Sequence, residues 1–177
     1  MLPPGHVIYT WATLNLLQRR FSSLRDADYR LVALAALLPD LIDKPLAHFL
    51  FFRQHGAALL FSHTLLAHVS LLVLALRRLR HGLVYVLAFN GHALIDRLWF
   101  FPRTFLWPFL GRRFHRWQHR SPQHNMWQAY LHTFIGDGRL LAYEVVGLGL
   151  LAWLVSSYRL YRSANLFRFL RTGRLLK

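Results

Sequence analysis

GAALLFSHTLLAHVSLLVLAL, residues 56–76, is the stretch that most directly indicates the fold. It carries no formal charge, and roughly 20 apolar residues in a helix span the hydrocarbon core of a bilayer. Four further apolar segments repeat the pattern, at residues 82–101, 140–158, 6–18 and 31–43. We therefore predict an all-α, membrane-embedded bundle of about five helices, forming a single domain over residues 1–177.

Basic residues cluster between the apolar segments. The chain has 22 Lys and Arg against 7 Asp and Glu, a formal net charge of +15, and 55% of its residues are hydrophobic. The clusters lie at 19–20, 77–80, 112–113 and 159–177. This alternation is typical of membrane helices with basic cytoplasmic rims, whereas a soluble protein that binds nucleic acid carries its charge on a less apolar sequence. We expect membrane lipids as partners, and the composition disfavours nucleic acid.

The region 102–138 is rich in Pro, Arg, Trp and His and is predicted to be a long loop with short helical pieces. If the basic stretches at 19–30, 77–80 and 159–177 face the cytoplasm, a serpentine path carries the polar residues of the apolar segments, and the arginines of the 102–138 loop, toward the other face. The expectation is thus an integral membrane protein with these polar residues on the non-cytoplasmic side. The chain contains no Cys, which excludes disulfides and thiolate metal sites.

Two pairs of ionisable residues interrupt the apolar segments. Asp40 and Asp43, in LAALLPDLIDKP, share one face of a predicted helix, and ionised groups are costly to bury there without a partner. His92 and Asp96, in GHALIDRLW, are four residues apart, so both side chains leave the same helix face and can hold one metal ion.

Two further histidines, His6 and His63, stand alone in apolar segments. A lone histidine there is more often a hydrogen-bonded core residue, but an ionisable residue within a membrane is a functional candidate. We predict that a metal site is built from six residues: His6, Asp40, Asp43, His63, His92 and Asp96. This nitrogen and oxygen set suits zinc, with manganese or another divalent ion as the alternative, and can hold one or two ions.

Four motifs follow one another along the chain: PDLIDKP (39–45), SHTLL (62–66), GHALIDRLW (91–99) and PRTFLWPFLGRRF (102–114). With an early histidine before them, they resemble the membrane-bound metal-dependent hydrolase family of bacteria and archaea over roughly residues 6–114. That family is similar to the zinc-dependent phospholipase C and single-strand nuclease superfamily, which is all-helical. The resemblance implies a bacterial or archaeal cell-membrane protein.

The resemblance also implies how the ligands divide. One complete site would contain Asp40, His63, His92 and Asp96, with Asp43 as a further candidate. His6 would belong to a second site that shares Asp96 as a bridging carboxylate. The soluble enzymes add a His-x-x-x-Glu element and a processed N-terminal amino group, and this sequence offers neither signal. Fewer ions, or a different division of ligands, are therefore allowed.

The function that we expect is hydrolysis of a phosphoester in a lipid or lipid-like substrate. A metal-activated water would be the nucleophile, and whichever of Asp40 and Asp43 is not a ligand would be the general base. Arg97 and Arg103 would stabilise charge on a phosphoryl oxygen, although arginines at a membrane also anchor lipid head groups.

The main alternative is a non-catalytic membrane protein whose structural His/Asp metal site supports the binding of a partner. Ligation of haem by the histidines is a further alternative, against which the paired carboxylates argue.

Overall fold

The computed structural model describes residues 2–47, 49, 59–78, 82–115 and 138–175. These residues form seven α-helices and no strands. The helices are α1 (Pro3–Arg20), α2 (Tyr29–Leu46), α3 (Leu65–Arg78), α4 (Leu83–Ile95), α5 (Pro102–Phe105), α6 (Gly138–Ser157) and α7 (Ser163–Thr172). Three 3₁₀ turns lie at Ser22–Leu24, Phe61–His63 and Leu98–Phe100. The all-α prediction is confirmed, and the expected number of helices was too low because the short helices α5 and α7 lie in polar, arginine-containing sequence.

The described residues group into two compact units. One comprises those within Met1–Leu34 and Gln123–Lys177, and the other those within Ala35–Pro122. The single domain expected over residues 1–177 stays a prediction.

In the first unit, α1 packs along α6. The Tyr9 hydroxyl donates a hydrogen bond to the Tyr143 carbonyl at 2.8 Å, and the Leu2 amide donates to Glu144 Oε1 at 3.0 Å. Near the other end, Asn15 Nδ2 donates to the Tyr158 hydroxyl at 2.7 Å. Glu144, the one charge inside the apolar segment 140–158, therefore accepts a hydrogen bond from the backbone at the start of α1.

Among the described residues, α6 is the one helix long and apolar enough to cross a membrane. It has 20 residues, and only 11% of its most apolar window is buried. A core helix of a soluble protein also passes a test of length and composition, but such a helix is mostly buried. The predicted helix over 140–158 is confirmed, and membrane insertion of α6 is a property that its composition allows.

The prediction that residues 56–76 form one spanning helix is wrong. Phe61–His63 form a 3₁₀ turn, Thr64 is extended at φ −86° and ψ 146°, and α3 begins only at Leu65. The Thr64 hydroxyl accepts a hydrogen bond from the Ala67 amide at 3.1 Å, which is how a threonine caps a helix start. The remaining 14 residues of α3 are too few to cross a bilayer. Residues 56–58 lie outside the described residues.

The apolar segment 82–101 also forms a shorter helix than expected. Helix α4 ends at Ile95, the Asp96 amide donates to the His92 carbonyl, and Arg97 adopts a left-handed conformation at φ 52°. Such a residue ends a helix, and Pro102 then starts α5, as proline favours the first helical position. The region predicted as a loop thus begins with one short helix, and residues 116–137 lie outside the described residues.

Helix α7 ends at a glycine that no other residue could replace without strain. Gly173 has φ 68°, its amide donates to the Phe169 carbonyl at 2.7 Å, and its carbonyl accepts from the Tyr29 amide at 2.7 Å. A Cβ at this position would collide with the Asp28 carboxylate. That carboxylate cannot easily move because it binds the Arg30 guanidinium.

We expect Gly173→Ala to lower the free energy of unfolding by about 1–3 kcal/mol, because it adds both left-handed strain and the clash. The matched control is Gly149→Ala in α6, where a Cβ meets nothing within 4 Å. That control should be neutral or stabilising by about 0.5–1 kcal/mol, since alanine favours a helix over glycine. Denaturation of the two detergent-solubilised variants, followed by circular dichroism, checks this, and equal stabilities would contradict it.

Candidate metal centre

Four side chains of the unit within Ala35–Pro122 converge on one point. Asp40 lies on α2, His63 in the 3₁₀ turn before α3, His92 on α4 and Asp96 directly after α4. Each offers one ligand atom, and these four atoms all lie within 4.8 Å of one another. Both histidines are fully buried, whereas the Asp96 side chain is 17% exposed. Four of the six predicted ligands are thus brought together.

The separations between these atoms fit a single small cation. His92 Nε2 lies 3.3 Å from Asp96 Oδ2 and 3.8 Å from Asp40 Oδ1, and His63 Nε2 lies 3.6 Å from Asp40 Oδ1. Zinc bound tetrahedrally at its usual bond lengths separates its ligand atoms by about 3.3–3.6 Å. These three separations lie within a few tenths of an ångström of that range, and all four ligand atoms lie within 4.8 Å of one another. One divalent ion can therefore contact all four after side-chain shifts of about 1 Å.

Contacts of the Nδ1 atoms fix the orientation of both imidazoles, so that their Nε2 atoms point into the cluster. His92 Nδ1 lies 2.8 Å from the Ala36 carbonyl, which can only accept a hydrogen bond. His63 Nδ1 lies 2.6 Å from Asp43 Oδ2. In a neutral ring each Nδ1 therefore carries the proton, and the lone pair sits on the Nε2 that faces the carboxylates. This arrangement is the one by which outer partners orient histidine ligands in metal sites.

Asp43 lies beside the cluster and is fully buried. Its Oδ2 accepts from the Leu60 amide at 2.7 Å as well as contacting His63, and its Oδ1 accepts from the Ser62 amide at 3.1 Å. The Ser62 hydroxyl donates to the Pro39 carbonyl at 2.8 Å. Asp43 thus fastens the turn at residues 59–63 to α2, and both of its oxygens are used within the protein.

The charges in the metal-free protein compensate one another. Burial alone would raise the pKa of the Asp40 carboxyl, but His63 and the Lys44 ammonium that binds it lower this pKa to about 2. Burial alone would lower the pKa of His63, but the facing carboxylates of Asp40 and Asp43 raise it to about 9. The raised pKa favours the protonated form of His63 at neutral pH, and the second proton of that form belongs on Nε2, which faces Asp40 Oδ1 at 3.6 Å.

Three further predicted site residues, His6, Arg97 and Arg103, are not members of the group of four. His6 is fully buried on α1, in the other compact unit. Its role in a second metal site stays a prediction. Arg97 and Arg103 are both exposed, Arg97 directly after Asp96 and Arg103 on α5, and their catalytic roles stay predictions.

The sequence analysis missed four groups that support the cluster: Lys44, the Ala36 carbonyl and the backbone amides of residues 60 and 62. The i,i+4 spacing of Asp40 and Lys44 is readable in PDLIDK, and it marks a pair that shares a helix face. The Ala36 carbonyl and the amides of residues 60 and 62 could not be predicted from the sequence, because backbone groups act there whatever the side chain.

His68 lies outside the group of four and forms a separate buried pair, with its Nδ1 2.7 Å from Asn90 Oδ1.

Comparison of the chain with protein-family models, with curated proteins and with solved structures finds no match. In the part of the chain that the structure describes, the regular elements are all helical, and Asp40, His63, His92 and Asp96 form a largely buried group that could hold a metal ion.

The two pKa shifts predict how the stability of the metal-free protein depends on pH. The pKa of His63 is raised from 6.5 to about 9, so its contribution is complete below pH 6.5 and is lost as the pH rises through 9. The pKa of Asp40 is lowered from 3.8 to about 2, so its contribution is complete above pH 3.8 and is lost as the pH falls through 2.

Thermal melts in EDTA should therefore show a melting temperature that falls between pH 6.5 and 9. With zinc the trend should reverse over this window, because metal ligation requires a neutral imidazole. The control is His63→Gln, which should abolish both trends. A wild-type profile that is flat with and without zinc would contradict the assignment.

Proposed function

We propose that this protein is a membrane-bound metal-dependent hydrolase that cleaves a phosphoester in a lipid or lipid-like substrate. The observation that carries the proposal is the cluster of two Nε2 atoms and two carboxylates, spaced for one cation and oriented by outer hydrogen bonds. The resemblance of the four sequence motifs to the membrane-bound hydrolase family supplies the reaction class.

The metal would be held by Asp40 Oδ1, His63 Nε2, His92 Nε2 and Asp96 Oδ2. Two carboxylates with two neutral imidazoles balance a dication, and the mixed nitrogen and oxygen set suits zinc, with manganese as the alternative. When bound, such an ion supplies Lewis acidity, which lowers the pKa of water and polarises a phosphoryl oxygen.

The protein's own residues would orient the reaction. We assign Asp43 to positioning His63, in place of the ligand and general-base roles predicted from sequence, because both of its oxygens already accept hydrogen bonds. Asp40 presents Oδ1 to the histidines while Lys44 holds Oδ2. Asp96 is the most exposed of the four side chains, so substrate would approach from its side.

Exposed apolar and cationic side chains near Asp96 in sequence support a lipid substrate. Between residues 94 and 110, four large apolar side chains have more than half of their surface exposed: Leu94, Phe100, Phe109 and Leu110. Arg97 and Arg103 are exposed in the same segment. Apolar surface that alternates with guanidinium groups suits acyl chains with an anionic head group better than it suits a polynucleotide. The apolar helix α6 supports a location in the membrane.

The test is an assay of detergent-purified protein, loaded with zinc or manganese, against phospholipids that carry phosphodiester or phosphomonoester head groups. We expect metal-dependent head-group or phosphate release by the wild type and by the matched control His68→Ala, whose imidazole is buried but outside the cluster. Asp96→Ala should fall to the background rate. Release that is unaffected by EDTA and by Asp96→Ala would refute the proposal.

Asp43→Asn tests the positioning role. Loss of the anionic partner of a ligating histidine typically weakens metal affinity by about 10–100-fold. We expect a loss in this range for Asp43→Asn, measured by competition with a chromogenic chelator. Ser62→Ala removes one hydrogen bond to α2 without touching the imidazole and serves as the control. Unchanged affinity in Asp43→Asn would contradict the role.

A non-catalytic protein with a structural metal is the second candidate, favoured by the number of side chains in the cluster. Four protein ligands can complete a tetrahedral zinc site, whereas catalytic zinc sites usually keep a position open for water. Cobalt substitution separates the two candidates, because four-coordinate cobalt absorbs visible light much more strongly than five- or six-coordinate cobalt. A strong spectrum that does not change when phosphate is added would favour the structural role.

A further inference from the structure

Helix α7 presents an apolar stripe to its surroundings. Leu166, Phe167 and Leu170 are 43%, 68% and 56% exposed. Their spacing of one and four residues places them on one face of the helix. Three large apolar side chains side by side on a ten-residue helix are costly to leave in water.

The side of α7 that carries Phe169 is packed against α1, and the last turn of α7 is bound to the start of α2. The helix therefore cannot rotate to bury the stripe. Phe169 is buried, with its ring edge-on to Trp11 at 5.7 Å between centroids. Arg30, held by two-oxygen contact with Asp28, donates to the Leu170 carbonyl at 2.8 Å and to the Arg171 carbonyl at 3.2 Å. The last turn of α7 is therefore anchored through its backbone.

Positive charge surrounds the stripe. No Asp or Glu follows Glu144, and six basic residues do: Arg159, Arg162, Arg168, Arg171, Arg174 and Lys177. Arg174 contacts Asp26 at 3.2 Å, whereas Arg162, Arg168 and Arg171 are exposed beside the apolar side chains. An apolar stripe flanked by arginines is the pattern of a helix that lies in the head-group region of an anionic bilayer.

The position of α7 in the chain agrees with this pattern. It begins at Ser163, only a tight turn after Ser157, where the candidate membrane span α6 ends. Within that turn Arg159 has φ 50°, and Asn165 Nδ2 donates to the Arg159 carbonyl at 3.2 Å. A helix fastened so closely to the end of a span starts at the depth of the lipid head groups.

We propose that α7 is an interfacial helix that binds the anionic surface of a lipid bilayer. Leu166, Phe167 and Leu170 enter the boundary of the acyl chains, and Arg162, Arg168 and Arg171 contact lipid phosphates. This binding surface is distinct from the His/Asp cluster. It rests on the membrane location that is part of the proposed function, but it needs neither a bound metal nor hydrolytic activity.

The absence of native cysteine makes a single-label experiment direct. Phe167→Cys and the matched control Ala164→Cys are spin-labelled in the full chain and placed in nanodiscs. Ala164 is exposed and lies four residues before Arg168, on the polar face of the helix. The discs contain phosphatidylcholine alone or mixed with phosphatidylglycerol. With phosphatidylglycerol we expect the label at 167 to be reached by oxygen and shielded from a water-soluble nickel chelate, and the label at 164 to show the reverse.

Replacing Arg162, Arg168 and Arg171 with Gln in the Phe167→Cys background should return the label toward water, each charge weakening the association about fivefold. Two outcomes would overturn the proposal. A label at 167 open to the nickel chelate in both kinds of disc would place the stripe in water. A label shielded from both reagents would place it against protein, such as a second copy of the chain.

Discussion

The buried Asp43 carboxylate is the interaction on which the rest of the site depends. A charge at 0% exposure is costly unless hydrogen bonds replace its water, and the amides of residues 60 and 62 with His63 Nδ1 do so. These bonds hold the turn before α3 against α2 and place His63 Nε2 opposite Asp40. His92 is oriented from the same helix, by the Ala36 carbonyl. Helix α2 thus supplies the Asp40 carboxylate of the cluster. It also supplies the groups that orient the two imidazoles, Asp43 for His63 and the Ala36 carbonyl for His92.

The second constraint is charge balance. Asp40 and Asp96 face the same point, and in the metal-free protein the proton on His63 and the ammonium of Lys44 offset the Asp40 charge. A divalent cation would replace that proton and draw the two carboxylates together. Binding of a metal ion would therefore replace the single positive charge of the His63 proton with the two charges of the ion. Whether the ion keeps a position open for water separates the proposed hydrolase from a structural site.

The sequence predicted the parts of the site that depend on local spacing. His92 and Asp96, one helical turn apart, do meet, and the apolar run at 140–158 is a helix. The sequence prediction was wrong for the run at 56–76, which composition alone presents as continuous. There the Thr64 side chain accepts a hydrogen bond from the backbone, caps α3 and so splits the run. The sequence also could not predict the different contacts of Asp40 and Asp43, because both face the core side of α2. Only Asp43 accepts hydrogen bonds from the turn at 59–63, which is distant in sequence.

The most direct test of the metal cluster is elemental analysis of the detergent-purified protein after zinc reconstitution and dialysis, beside His92→Ala and His68→Ala. Both variants remove a buried imidazole from the same compact unit, but only His92 belongs to the group of four. We expect near-stoichiometric metal in the wild type and in His68→Ala, and loss of that metal in His92→Ala. Wild-type protein without metal, or His92→Ala with as much metal as the wild type, would contradict it.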